Sequence, residues 1–316
     1  MDAKAFMKKH KLSEGQLVKI YNEGRAFEGN IIPSAGKGKN ILALKLKSGY
    51  NVGIKISPST KAEKLEGVKK VGKGVKTEIR QDPSLPKISI LHTGGTIASR
   101  VDYRSGAVYS SFEPEDLLSM FPELLKIGNF SSKLISNMWS DDLRFKHFGV
   151  IGKEVLKEYE KGAKGIIIGM GTDNMAVASA AMAFVLEKCP IPVIFVGAQR
   201  SSDRGSSDAA MNLVCAAEFI AKTDFAGVAL CMHNSSSDEK CAILPACKTR
   251  KMHSSRRDAF KAVNDTPIAL VDYNTRSIEF VKKDYARRSN EKIVLKPKFE
   301  EKVALFKIHI NMFPEQ

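Results

Sequence analysis

The 316-residue sequence lacks any apolar run of membrane-spanning length, which excludes a chain that crosses a bilayer by helices. It also lacks the apolar stretch of a secretory signal near its start: Lys4, Lys8, Lys9 and Lys11 interrupt the first fifteen residues, so a cytoplasmic location is expected. Cysteine is sparse. The five cysteines, at 189, 215, 231, 241 and 247, form an odd set with no Cys-x-x-Cys pair, which disfavours both a disulfide framework and a zinc site. Most of them are expected as small apolar core residues. Acidic residues fall short as well: 35 Asp and Glu against 50 Lys and Arg leave a formal charge of +15. That excess is larger than solubility needs and suits a polyanion such as RNA, although a solvated basic surface gives the same count. There is no internal repeat and no low-complexity tract.

What is present is a globular composition. A hydrophobic share of 43% and a charged share of 27% provide for a sizeable core, and the length predicts two domains, or one large domain with an appendage. Residues 16–56 alternate apolar and polar positions in four short runs, 17–21, 27–32, 41–46 and 51–56, separated by turn chemistry at 34–39 and 48–49. This predicts a small antiparallel β-barrel or sheet over 1–56. From 57 to 86 the periodicity fades, Lys69, Lys70, Lys73, Lys76 and Arg80 stand among glycines, and the segment ends Asp82-Pro83-Ser84-Leu85-Pro86. It reads as a basic linker.

After Pro86, apolar runs at 88–91, 165–168, 193–196 and 228–232 alternate with helical stretches at 141–161, 174–188 and 207–222. That alternation predicts an α/β domain with a doubly wound, mainly parallel sheet. In such sheets ligands lie beyond the carboxyl ends of the strands, where loops lead into helices.

The loop after the first of these strands reads His92-Thr93-Gly94-Gly95-Thr96-Ile97-Ala98-Ser99. Its glycines allow close backbone approach and leave amide N–H groups for a developing oxyanion, so Thr96 is a candidate nucleophile that would need a base within reach. A capping turn or a phosphate-binding loop would look the same. The loop after 165–168 reads Gly169-Met170-Gly171-Thr172-Asp173-Asn174-Met175. Thr172 and Asp173 can converge on the first loop, or they can cap the following helix. In 248–260, Lys251 beside a threonine and a carboxylate could serve as a base or proton relay, but Arg250, Lys251, Arg256 and Arg257 also fit a solvated basic face. His253 has no metal-type partners near it in sequence and is expected to be structural.

These loops, together with Val196-Gly-Ala-Gln-Arg-Ser-Ser-Asp203 and Lys251-Met-His-Ser-Ser-Arg-Arg-Asp-Ala-Phe260, resemble the bacterial-type L-asparaginase family. The wording of the last two motifs, and the run Ser48-Gly-Tyr-Asn-Val-Gly-Ile-Lys55, are similar to the D-subunit family of archaeal glutamyl-tRNA(Gln) amidotransferases. The resemblance implies that residues 87–296 form an asparaginase-like amidase domain and that 297–316 open a truncated C-terminal lobe, with its first strand at 303–310. It implies Thr96 as nucleophile and Thr172, Asp173 and Lys251 as the rest of the catalytic set. It further implies Gly95, Tyr103, Ser136 and Asp173 as substrate-binding residues. Family members usually place histidine at the position of Met170.

The activity so implied is hydrolysis of glutamine to glutamate and ammonia through an acyl-enzyme. It needs no metal or organic cofactor in this chain, ATP and Mg being expected in the partner. The implied partners are the E-subunit, a glutamyl-tRNA amidotransferase kinase and transamidase, together with Glu-tRNA(Gln) and a second copy of the chain, in a homodimer within a heterotetramer. A free asparaginase or glutaminase, and a non-catalytic scaffold for RNA or a partner, are the competing expectations.

Overall fold

The computed structural model describes residues 2–13, 15–32, 40–46, 51–65, 82–94, 99–101, 108–110, 121–138, 140–200, 207–313 and 315. Thr96, Gly95 and Tyr103 lie outside the described residues, as does most of the basic linker.

Near the start, a short helix α1 (Ala3–Lys9) is capped by Asp2, whose carboxylate accepts the Lys4 N–H at 2.8 Å. Strands β1 (Leu17–Asn22), β2 (Arg25–Ile32), β3 (Ile41–Leu46), β4 (Asn51–Lys55) and β5 (Lys61–Lys64) form one sheet in the order β4-β3-β2-β1-β5, every pair antiparallel. The β1–β2 hairpin closes on Glu23 and Gly24, both at positive φ, the backbone of a tight two-residue turn. Period-two alternation puts Val18, Ile20, Ile31, Leu42, Leu44 and Ile54 on one face, where they bury Phe6 of α1.

Strand β5 corrects the expected linker boundary, because residues 61–64 belong to this sheet. Of Lys61-Ala62-Glu63-Lys64 only Ala62 is apolar, so no alternation marks the strand. Its pairing rests on backbone bonds to β1 and on the Tyr21 hydroxyl donating to Glu63 at 3.0 Å.

Among its described residues, the rest of the chain builds an eight-stranded sheet, three two-stranded pairs and the helices that pack on them. In chain order its elements are β6 (Lys87–His92), the small pair β7 (Ser99–Val101) and β8 (Val108–Ser110), β9 (Asn129–Leu134), helix α2 (Phe145–Glu160), β10 (Gly165–Gly169) and helix α3 (Met175–Val185). Then come β11 (Leu186–Lys188), β12 (Pro192–Val196), helix α4 (Ala209–Lys222), β13 (Gly227–His233), β14 (Lys240–Pro245), β15 (Thr249–Lys251), β16 (Phe260–Ala262), β17 (Ala269–Asp272), β18 (Ile278–Phe280) and β19 (Val294–Leu295). The order is β18-β17-β14-β13-β12-β10-β6-β9. Strands β9, β6, β10, β12 and β13 are mutually parallel, and β14, β17 and β18 add antiparallel.

Both faces of the parallel part are buried. Ile88, Ile90, Ile167 and Ile194 pack toward α4, and Ile166, Ile168, Val193 and Phe195 pack toward α2 and α3. This is why those strands read as continuous apolar runs. The chain passes from β6 outward to β9 and then back across to β10, so the winding reverses between β6 and β10. Such a reversal opens a crevice at the carboxyl edge of the sheet.

Two helical expectations change. The stretch 174–188 is helical only to Val185, after which 186–188 extend as β11 and pair with β19. The stretch 141–161 begins as a 3-10 turn at Ser140–Asp142, and the α-helix starts at Phe145.

The expected strand at 303–310 is absent. Those residues pair with no strand among the described residues, and Val303, Leu305, Phe306, Ile308 and Ile310 are exposed. Alternating apolar residues make a strand only where a neighbouring edge takes up their N–H and C=O groups. The last ordered packing before them is Phe299, stacked on Phe145 with ring centroids 5.4 Å apart.

Candidate active site

The two glycine loops flank the crevice between β6 and β10. They are tied together at their bases, where the Thr93 N–H donates to the Gly169 carbonyl at 3.0 Å; the first loop is also tied to the chain leaving β9, whose Met138 N–H donates to the Thr93 carbonyl at 3.0 Å. Gly94 has φ of +112°, and a Cβ there would lie 2.4 Å from the Met138 carbonyl oxygen, so only glycine fits between the first loop and the chain leaving β9. Just before it, His92 is buried at the end of β6, and burial lowers its pKa to about 4.

At the second loop, Thr172 and Asp173 do not cap α3. The N-cap residue is Asn174, whose side chain instead donates to the Ser140 carbonyl at 2.8 Å. Both side chains turn to Lys251, the last residue of β15. Lys251 Nζ lies 2.8 Å from Thr172 Oγ1 and 2.7 Å from Asp173 Oδ1.

The cluster is graded from inside to outside. Thr172 is buried and the Lys251 side chain is 11% exposed, whereas that of Asp173 is 65% exposed. An ammonium this buried, in contact with a carboxylate open to solvent, leaves the carboxylate able to meet a ligand's cation as well. Met170 is 1% exposed and points into the apolar cluster under α3, so its side chain belongs to the core rather than to the crevice.

The loop after β12 supplies a third side. Gln199 Oε1 accepts the Thr172 hydroxyl at 2.9 Å, and Gln199 Nε2 donates to the Arg256 carbonyl at 2.8 Å. Asp208, 1% exposed, accepts the backbone N–H groups of Gln199 and Arg200 at 3.0 Å each, which fixes the loop from behind. Gly197 lets Thr172 sit close, since a Cβ there would come within 2.7 Å of Thr172 Cγ2. The motif 196–203 was visible in the sequence, but only the fold shows that its glutamine reaches Thr172.

In the loop between β15 and β16, Arg256 makes a two-pronged bond to Asp258 at 3.0 and 2.9 Å. Burial of Asp258 pushes its pKa up, but Arg256 and Lys261 outweigh that and leave it lowered. His253 accepts the N–H groups of Ser255 and Arg256, the structural part expected of it. Ser136 sits beside the first loop, its hydroxyl donating to the Thr93 carbonyl at 3.4 Å. Among the described residues, no three His, Cys, Asp or Glu side chains gather as a metal site requires, and no helix is long and apolar enough to cross a membrane.

A family profile described as "Asparaginase, N-terminal" matches residues 87–285, the whole of the sheet that holds this site. Two solved structures share the fold. The thermostable L-asparaginase from Thermococcus kodakarensis has a TM-score of 0.57 at 27% identity, over 67% of this chain and 60% of that one. The probable cytoplasmic L-asparaginase from Campylobacter jejuni has a TM-score of 0.54 at 26% identity, over 65% and 61%. The family match and the fold therefore define an asparaginase-type core. A second profile, "GatD N-terminal domain", matches residues 12–65 and takes in β5.

The glutamyl-tRNA(Gln) amidotransferase D-subunit of Pyrococcus abyssi is 42% identical over 98% of this chain and 72% of its own length. That of Methanosarcina acetivorans is 43% identical over 93% and 70%. The chain belongs to the D-subunit family of glutamyl-tRNA(Gln) amidotransferases. It spans about 70% of those relatives and about 60% of the two solved asparaginases.

Proposed function

We propose that the chain hydrolyses glutamine and releases ammonia for a tRNA-dependent amidotransferase that converts Glu-tRNA(Gln) to Gln-tRNA(Gln). The observation behind this reading is the approach of Lys251 Nζ to both Thr172 Oγ1 and Asp173 Oδ1 at the carboxyl edge of β10. In the proposed reaction the Thr96 hydroxyl attacks the side-chain carbonyl carbon of glutamine. Amides of the Gly94-Gly95 loop hold the oxyanion, and ammonia leaves as the acyl-enzyme ester forms. Thr172 and Lys251 move protons between the attacking oxygen and the departing nitrogen. Water then releases glutamate. Asp173, exposed and already oriented by Lys251, holds the substrate α-ammonium, and Tyr103 and Ser136 complete the binding pocket.

The ammonia passes to the E-subunit, the kinase and transamidase that supplies the ATP- and Mg-dependent chemistry on the tRNA. The assembly would pair two copies of each chain. The N-terminal sheet and the charge of +15 suit a place beside an RNA. A second reading, a free asparaginase, draws on the likeness to the two solved L-asparaginases.

The test is ammonia release from glutamine and from asparagine, with and without the partner chain and Glu-tRNA(Gln). Turnover of glutamine that rises with the partner is expected, and Lys251→Met should lower it by roughly a hundred- to ten-thousandfold. Equal or greater turnover of asparagine by the chain alone would favour the free enzyme. Wild-type rates in Lys251→Met would remove the lysine from the mechanism.

A further inference from the structure

The Thr172 hydroxyl has one proton and, among the described residues, two hydrogen-bonding side-chain neighbours, and the bonds around Gln199 decide which of them receives it. The Arg256 carbonyl can only accept, so the nitrogen of the Gln199 amide must face it, at 2.8 Å. The amide oxygen therefore faces Thr172 and can only accept in turn. The hydroxyl proton consequently points to Gln199 Oε1 at 2.9 Å, and a lone pair of Oγ1 is turned to Lys251 Nζ at 2.8 Å. Lys251 donates to both Thr172 and Asp173, and as an ammonium it has no lone pair: taking the Thr172 proton requires that it first give up one of its own and that the hydroxyl swing off Gln199.

The glutamine is itself held in place. Asp208, buried, takes the Gln199 and Arg200 N–H groups on its two oxygens, and the Asn212 side chain adds a bond to Asp208 at 3.1 Å and one to the Gly197 carbonyl at 3.0 Å. The amide is thus anchored from its backbone and from its nitrogen, with its oxygen aimed at a single hydroxyl.

We propose that Gln199 is a positioning residue of the amidase site. It directs the Thr172 proton away from Lys251, sets the direction of the Thr172–Lys251 hydrogen bond, and couples that pair to the 252–259 loop through Arg256. The inference rests on the reading that Thr172 and Lys251 transfer protons during glutamine hydrolysis. Because Gln199 acts through Thr172 rather than on substrate, its loss should slow the chemistry and leave binding in place.

Two measurements on the full chain test this separately. The first is a thermal double-mutant cycle with Thr172→Val, Gln199→Met and the double variant, which reads the bond without any turnover. The double variant should lose less in melting midpoint than the sum of the singles, and strict additivity overturns the proposed coupling. The second is steady-state glutaminase activity of Gln199→Met and Gln199→Glu. Methionine keeps the length and removes both bonds, and kcat should fall by roughly ten- to a hundredfold with KM within about twofold. Glutamate keeps an acceptor for Thr172 and should recover several-fold of that loss.

An unchanged kcat in Gln199→Met, a KM that rises in step with the loss, or a glutamate variant no better than methionine each overturns the positioning role. A wild-type chain that releases no ammonia from glutamine, with or without its partner, defeats the proposed function instead. The thermal cycle still decides whether Gln199 is bonded to Thr172.

Discussion

The five-stranded sheet and the eight-stranded sheet draw on the same apolar residue types but differ in how many faces they bury. The first has one covered face, with a core of about ten side chains around Phe6 and Leu44. The second is covered on both, by α4 on one side and by α2 and α3 on the other. Two-sided burial explains why the second can present rigid strand ends to a crevice. Thr172, Asp173, Gln199 and Lys251 all belong to this sheet and its loops, and none comes from the described residues of the first. The contrast teaches that the described residues of the proposed site are all held by the sheet buried on both faces.

The largest effect that can sharpen this contrast is a paired truncation. Phe219→Ala, on the buried face of α4, should lower stability by about 3–5 kcal/mol in urea unfolding and reduce ammonia release at temperatures near the midpoint. Leu44→Ala should cost about 2–5 kcal/mol in the small sheet while leaving turnover without the partner intact. Equal losses of turnover in the two variants would break the division of labour.

A smaller effect is tied to pH. Folded His92 has a pKa of about 4 against 6.5 for the free side chain, because burial disfavours its cation. The unfolded chain therefore binds more protons between those values. Stability from this residue is complete above pH 6.5 and falls by about 3 kcal/mol as the pH drops to 4. Urea midpoints across that window should show the slope, and His92→Asn should flatten it. The smallest effect belongs to the exposed rim of the first sheet, where Tyr21→Phe removes the bond to Glu63 and should change stability by less than about 1 kcal/mol without touching turnover.

Much of this architecture was legible beforehand, and the exceptions share causes. Strands β10, β12 and β13 announced themselves as unbroken apolar runs, and β6 as a run broken only by Ser89, because both their faces are covered. Strand β9, Asn-Phe-Ser-Ser-Lys-Leu, did not, since it lies at the sheet edge and only Phe130 is buried along it. Strand β5 was hidden for the same reason, with a single apolar residue among charges. The run at 303–310 misled in the opposite sense: its alternation is good, but among the described residues no neighbouring edge receives it. At the site, the sequence pointed to Thr172, Asp173 and Lys251, but it left open whether the first two were helix caps and whether the lysine belonged to a solvated basic face.

By itself the sequence determined the class of each half of the chain, the positions of the two glycine loops and the kinds of side chain available for amide hydrolysis. These follow from local rules of periodicity, turn chemistry and hydroxyl, carboxylate and amine reactivity, which act over a few residues. Only the tertiary structure decided that Lys251 crosses 79 positions to reach Thr172, and that Gln199 bonds Thr172 from a third loop. Those contacts arise from the reversal of winding at β6 and β10 and from the packing of separate loops at one sheet edge. Neither leaves a trace in any short stretch of residues.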